Sequence, residues 1–424
     1  DRWYMNKRIF VIFLTVFIDL LGFGIVIPLL PTFSQNVLSM HETTIGLVAG
    51  IFSLMQFIFN PFWGRLSDAY GRKPIIIFSL FGNILSYTLL GLVFSGVFKS
   101  VEVLFISRAM AGFFSANIGA AMAYIADVTE GKDRAKGMGV IGAAFGLGFV
   151  FGPFIGGFLA KRYDFGVPAF LSALLSLTAF ILAITVLKES LSVELRRNIK
   201  IKGALPSLRK GGLRGVFLKA RKKFVHALTH PNVGFLIILF FIITFSIANI
   251  YSTFQLFAER KDGFNYDVEQ ISYLFAYLGF IGALVQGGLI RYLVKIFDER
   301  KILIAGNLIM AIGLGSIPFA HSQLLYLLIS LFLLSVGNGM NQPTTLSLIS
   351  RFTGPDEQGG ILGINQSMSS LARFIGPTWG GFVYEHLGFA FPFLTGGVFM
   401  VLGTIISFKL LHEKFDIVKS KIPS

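Results

Sequence analysis

The sequence contains no cysteine, which excludes a disulfide framework and thiolate chemistry. It is also short of charge: Asp, Glu, Lys and Arg supply 14% of the residues, against about 25% in soluble domains. A chain of 424 residues with so little charge cannot cover a water-facing surface, which excludes disorder, a coiled coil and an ordinary soluble enzyme. No phosphate-binding loop, metal-ligand cluster or catalytic triad is present, so no enzymatic role, cofactor or metal is expected. Any energy for work must then come from a gradient. What is abundant is apolar: 54% of the residues are hydrophobic, 47 of them Phe, and the mean hydropathy is +0.73.

A helix needs about 20 apolar residues to cross the hydrocarbon of a bilayer. Twelve stretches qualify: 9–30, 44–63, 75–94, 101–123, 138–159, 168–187, 233–257, 271–294, 302–319, 324–348, 360–382 and 391–411. They are continuous rather than alternating, so they read as helices and not as barrel strands. The first is too long for a signal-peptide core and has no small-residue cleavage site, so it is expected to be retained.

The chain carries a net charge of +15, and the position of the cations decides its meaning. With the N-terminus inside, 30 of the 37 Lys and Arg fall on inner segments, five on outer loops, and Arg108 and Arg373 within spans. This is the bias of cytoplasmic loops. It accounts for the charge without nucleic acid and puts both termini in the cytoplasm. The expected location is the inner (plasma) membrane of a bacterium, with contact to membrane lipids and a monomeric state.

The halves repeat. Gly152-Pro153-Phe154-Ile155-Gly156-Gly157-Phe158 matches Gly376-Pro377-Thr378-Trp379-Gly380-Gly381-Phe382 at an offset of 224, which Thr129 and Thr353 share. Two six-helix bundles follow, 1–187 and 233–424, joined by a basic linker at 188–232. They are related by a pseudo-twofold axis along the membrane normal, and such proteins place their site between the bundles.

Asp19 lies halfway along the first span, where an acid is expensive unless it faces a cavity or a partner. It is the candidate proton or cation carrier, with a structural acid as the alternative. Arg108, seven residues into the fourth span, reaches a similar depth. It could tune Asp19 or form a permanent ion pair with it. Arg373 could meet substrate or satisfy carbonyls freed by Pro377. Polar side chains fall in stripes on several spans: Gln56 and Asn60, Asn117, Asn249, Asn338, Asn341 and Gln342, and Gln366. They are candidates for a substrate cavity, although such stripes more often join helices. The short inner loop Gly64-Arg65-Leu66-Ser67-Asp68-Ala69-Tyr70-Gly71-Arg72-Lys73-Pro74 reads as a conformational latch.

That loop resembles motif A of the major facilitator superfamily. Gly148 with Gly152-Pro153-x-x-Gly156-Gly157 resembles motif C of its drug/proton antiporters. The segment Ala123–Thr129, followed by Asp133-Arg134-Ala135, is similar to the tetracycline/proton antiporters, as is Asp19-Leu20-Leu21-Gly22-Phe23-Gly24 leading to Pro28-x-x-Pro31. The resemblance covers all twelve spans. It implies an all-α membrane fold of two six-helix bundles working by alternating access, with proton-coupled export of lipophilic small molecules. It implies coupling by Asp19 and Arg108. It implies a latch in which Asp68 reaches the start of the eleventh span and Arg134, and Asp127 pairs with Arg72 or a neighbour. It also implies packing of the motif C helix, with Gly148, Gly152, Pro153, Gly156 and Gly157, against the eighth span. Tetracycline exporters carry further acids in spans three and nine, where this chain has Asn83 and Asn307, so the residues do not point to tetracycline itself. A lipid flippase or metabolite transporter of the same fold, or a receptor without turnover, are the alternatives.

Overall fold

The computed structural model describes residues 2–129, 131–191, 224–230, 233–353 and 358–412. Most of the expected linker, 192–223 and 231–232, lies outside the described residues. Among the described residues the chain is helical throughout. Twelve rods follow one another: α1 (Arg2–Asn36), α2 (Glu42–Tyr70), α3 (Arg72–Phe94), α4 (Val101–Val128), α5 (Gly131–Arg162), α6 (Gly166–Val186), α7 (Gly234–Glu259), α8 (Val268–Ile296), α9 (Glu299–Ala320), α10 (Leu324–Arg351), α11 (Gln358–Leu387) and α12 (Phe391–Ser407). Nine of these, among the described residues, are long and apolar enough to cross a membrane. Helices are the expected solution, because each satisfies its own backbone where no water can.

The chain divides into two units. The first holds residues 1–39 and 51–221, and the second holds 40–50 and 222–424. Residues 42–50 of that second set are the start of α2, where Gly46 and Gly50 pack on Pro377 and Phe374 of α11. In the first unit α1 lies against α5 and α6, and α3 against α4 and α6. In the second, α7 lies against α11 and α12, and α9 against α10 and α12. The two patterns are the same with six added to each helix number.

The repeat holds at the level of single atoms. A Cβ placed on Gly152 would lie 2.9 Å from the Leu21 carbonyl oxygen, and one on Gly376 2.9 Å from that of Phe245. Gly156 stands in the same way 2.8 Å from the Ile25 oxygen, and Gly380 2.7 Å from that of Asn249. Every pair is 224 residues apart. Glycine at these four positions lets one helix backbone approach another, the usual device for joining helices where water supplies no driving force between them.

Two rods are interrupted near mid-span. α7 breaks at Asn249, between Gly234–Ala248 and Ile250–Glu259. α4 breaks at Ser115-Ala116-Asn117, between Val101–Phe114 and Ile118–Val128. The sequence predicts an uninterrupted span there, because no proline marks the break. Its freed carbonyls take side-chain donors from two neighbouring helices: Trp63 Nε1 donates to Phe113 at 2.8 Å, Ser79 Oγ to Phe114 at 2.5 Å, and Gln56 Nε2 to Ser115 at 3.3 Å. A break deep in an apolar bundle persists only when these groups are met in this way.

Candidate functional site

In the first unit, the α4 break and Asp19 belong to one polar network. Asp19 is 2% exposed. Asn83 of α3 donates from Nδ2 to Asp19 Oδ1 at 2.5 Å. Ser115 Oγ, in the break, donates to Asn83 Oδ1 at 3.2 Å. Asn117 Nδ2, at the end of the break, donates to Ser79 Oγ. Tyr87 Oη reaches the Asp19 carbonyl at 3.5 Å, and its ring fills the space that a side chain at Gly22 would need. Asp19 Oδ2 accepts no hydrogen bond.

Arg108 is 1% exposed, and its Nε and Nη1 have no hydrogen-bond partner. Its guanidinium lies 5.0 Å from the Phe52 ring centroid. The two charged groups form no ion pair within 4 Å, so the permanent pair allowed by the sequence is not what this structure holds. A buried guanidinium with two donors unmet is costly.

The other polar candidates divide. Gln56 and Asn117 serve the α4 break. Asn249 joins α7 to α12, its Nδ2 donating to the Pro392 carbonyl at 2.5 Å. Asn341 is buried beside Gly306 and Met310. These three buried amides, Asn117, Asn249 and Asn341, hold helices together. Asn60, Asn338, Gln342 and Gln366 are half-buried, and the amide oxygens of Asn60 and Asn338 have no donor. Arg373 donates to Ser369 Oγ at 2.6 Å and Ser370 Oγ at 3.2 Å on its own helix.

The polar framework repeats but its charge does not. Asn83 and Asn117 have Asn307 and Asn341 as equivalents at the offset of 224, and Gly82 has Gly306. The positions equivalent to Asp19 and Arg108 are Ile243 and Phe332. The carboxylate and the guanidinium therefore belong to the first unit alone.

The α2–α3 turn is built around Arg72. Its Nη1 donates to Asp68 Oδ1 at 2.5 Å and to Ser67 Oγ at 2.6 Å, and its Nε lies 3.3 Å from Asp127 Oδ2. Gly71 adopts a φ of 113°, a left-handed conformation that favours glycine, while Gly64 meets nothing within 4 Å. The resemblance sends Asp68 to α11 and Arg134. In this structure Asp68 is held by Arg72 one helical turn away, and the Arg134 side chain lies outside the described residues. Glu189, just beyond α6, is a member that sequence reasoning missed. Its carboxylate accepts from the backbone nitrogens of Arg72 at 2.9 Å and Lys73 at 3.3 Å, capping α3. The second unit has a charge-reversed counterpart. Arg351, 224 residues after Asp127, donates to Glu299 at 2.9 Å at the start of α9.

Arg72 has a side chain only 10% exposed and serves three acceptors. Arg72→Gln is expected to destabilise the protein by about 2–3 kcal/mol, since it leaves Asp127 and Asp68 unmatched. Arg72→Lys recovers only part of that, because an ammonium lacks the planar fork. Thermal unfolding in detergent measures both.

The motif C glycines Gly148, Gly152 and Gly156 are buried against α1, and Pro153 and Gly157 are buried beside them. The resemblance assigns this helix a contact with α8. The contact the structure shows is within the first unit, with Leu20, Leu21, Gly24 and Ile25.

Among the described residues, one trio could approach a cation: His41, Glu42 and Glu385. Glu385 is already engaged, accepting at Oε2 from Thr43 N at 3.0 Å and Thr43 Oγ1 at 2.6 Å. The trio is therefore read as a cap on the start of α2. Glu385→Ala should raise amide exchange over residues 42–46 about fivefold, as for a lost helix cap, with exchange in α10 unchanged.

The Major Facilitator Superfamily model matches residues 12–295 and 287–421. The chain is 31% identical over 413 residues to multidrug resistance protein 2 of Bacillus subtilis (strain 168), covering 97% of each chain. It is 30% identical over 389 residues to the class E tetracycline resistance protein of Escherichia coli, covering 90% of this chain and 89% of the other. The structure of the human organic anion transporter MFSD10 (TETRAN) shares its fold, with a TM-score of 0.66, 22% identity and coverage of 95% of this chain and 99% of the other. Together with the twelve rods and the repeated glycine contacts, these matches establish that the chain belongs to the Major Facilitator Superfamily and is a multi-pass integral membrane transporter.

Proposed function

We propose that this transporter exports lipophilic small molecules of the drug class in exchange for protons, by alternating access. The observation that carries the reading is Asp19: a carboxyl group at mid-span, supported by an amide rather than a cation, with one oxygen free to take a proton. Arg108 lies in the same unit without a hydrogen-bond partner at Nε or Nη1, so protonation and a substrate acceptor can compete for the local charge balance. The relatives named for drug resistance support the cargo class. Half-buried Asn60, Asn338, Gln342, Gln366 and Arg373 are the proposed substrate contacts, and the Arg72 cluster with Asp68 and Asp127 is the proposed latch. The basic loops favour an inner-membrane protein with cytoplasmic termini, acting as a monomer.

The test is flux. Proteoliposomes preloaded with protons and given external ethidium as probe should accumulate the dye as protons leave, and a protonophore should abolish the uptake. Dye movement indifferent to the pH gradient would refute proton exchange.

A further inference from the structure

In the first unit α3 and α6 lie side by side, and their outward faces are apolar. Phe78, Phe81 and Leu85 of α3 and Ile181 and Ile184 of α6 are 45–52% exposed. In a chain that spans a membrane, apolar side chains left uncovered by protein meet acyl chains rather than water. Between the two helices, at the end nearest the α2–α3 turn, this face is hollowed into a groove of about 500 Å³, the size of a ligand pocket. Lys73, Pro74, Ile77, Phe78 and Phe81 of α3 and Phe180 of α6 line it. The rings of Phe81 and Phe180 stand 6.1 Å apart, about two turns or about 12 Å along α3 from Lys73. One cation therefore stands at one end of an otherwise apolar groove.

The charge of Lys73 is not spent within the described residues. Its Nζ donates to the Ile184 carbonyl at 2.9 Å, which uses one of the three N–H groups of an ammonium. The acid at this end, Glu189, is committed to backbone. Its Oε1 accepts from the nitrogens of Arg72 at 2.9 Å and of Ser190 and Leu191 at 3.1 Å, and its Oε2 from that of Lys73 at 3.3 Å. Among the described residues the Lys73 ammonium has no ion-pair partner. We propose that this groove holds one anionic phospholipid of the leaflet on the α2–α3 side, with an acyl chain along Ile77, Phe81 and Phe180 and the phosphate on the Lys73 ammonium. A basic side chain at the membrane surface favours an anionic headgroup, and the apolar lining requires that the anion carry a hydrocarbon chain. Neither Asp19 nor Arg108 lines the groove, so the proposal stands or falls apart from proton exchange.

The second unit supplies a control. Arg300, in the first turn of α9, donates from Nη1 to the Leu410 carbonyl just past α12 at 3.0 Å, as Lys73 does to a carbonyl in the last turn of α6. The Arg300 guanidinium lies 5.8 Å from the Phe352 ring centroid. The bond from a cation to the end of the sixth helix is thus common to both units, and Arg300→Gln tests what its loss alone does.

The experiment uses Trp63 as reporter, because its ring lies 5.6 Å from that of Phe78 at the groove wall. Trp3→Phe and Trp379→Phe leave it the sole tryptophan. The full chain is reconstituted in phosphatidylcholine bilayers with a minor fraction of phosphatidylglycerol. Bromine, a short-range quencher, is carried on the acyl chains of one lipid or of the other. Phosphatidylglycerol should quench Trp63 with an affinity about fivefold higher than phosphatidylcholine, the worth of one cation toward an anionic surface. Lys73→Gln keeps a donor for the Ile184 carbonyl and should bring that preference to about one, while Lys73→Arg and Arg300→Gln should each retain it. Ile77→Phe, which fills the groove, should lower quenching by both lipids. Soluble glycerol phosphate, which has no chain, should leave the quenching unchanged. Equal affinity of the two lipids in the protein with Trp63 alone, a preference that survives Lys73→Gln, or displacement by glycerol phosphate would overturn the proposal. The comparison of the two lipids needs no change at Lys73, so it decides the matter even where Lys73→Gln fails to fold.

Discussion

Asp19→Asn is expected to bind ethidium with near wild-type affinity and to lose its accumulation driven by a pH gradient, down to the rate of empty liposomes. Asn is close to Asp in shape and keeps a carbonyl oxygen for the Asn83 N–H, so the network of α1, α3 and α4 should stay intact. What it cannot do is exchange a proton. No acid stands at the equivalent position of the second unit, which is Ile243, so nothing in the repeat replaces the lost carrier. Equilibrium binding by fluorescence anisotropy and flux in proteoliposomes measure the two halves of this expectation. Wild-type pH-driven flux in the variant would remove Asp19 from the mechanism.

Gly152→Val and Gly376→Val should each destabilise the protein by about 3 kcal/mol or more, the upper range for overpacking a tight contact. A Cβ at Gly152 would meet Gly24 Cα at 2.7 Å and the Leu21 oxygen at 2.9 Å. One at Gly376 would meet the Phe245 oxygen at 2.9 Å and Ala248 Cβ at 3.0 Å. The obstacles at Gly152 are backbone atoms, which cannot turn aside as a flexible side chain can. Gly376 faces the Phe245 oxygen, the Asn249 backbone nitrogen and the rigid Cβ of a buried alanine. Because the Leu21 and Phe245 oxygens stand at the same 2.9 Å across the repeat, the two losses should be similar. Gly64→Ala is the control. Nothing lies within 4 Å of a Cβ there, and alanine favours helix over glycine, so stability should hold or rise. Thermal unfolding in one detergent compares the three.

These expectations show where the fold is legible in the chain. The spans are written as uninterrupted apolar runs, and the repeat as Gly-Pro-x-x-Gly-Gly in α5 and α11, because bilayer thickness and helix approach each impose a local pattern. Asp19 is conspicuous because an acid at mid-span has few benign explanations. The break in α4 carries no such mark. It contains no proline and is held open by Trp63, Gln56 and Ser79, which come from two other helices. Glu189 caps a helix that begins 117 residues earlier, and Glu385 caps one 342 residues away. Such pairings arise only when the chain is folded, and spacing cannot announce them. Asn249 and Asn341 lie on polar stripes, which more often join helices but also suit a cavity. The close approach of Gly380 and Gly306 is what assigns them to packing.

The central claim is exchange, and the direct measurement is proton movement driven by substrate alone. Proteoliposomes with equal pH on both sides and the voltage clamped by potassium and valinomycin are given an ethidium gradient, while a lumenal dye reports pH. Protons should move against the ethidium in the wild-type protein, and neither should be transported in Asp19→Asn. Ethidium transport with a flat pH trace, or an equal pH change in both proteins, would contradict the account.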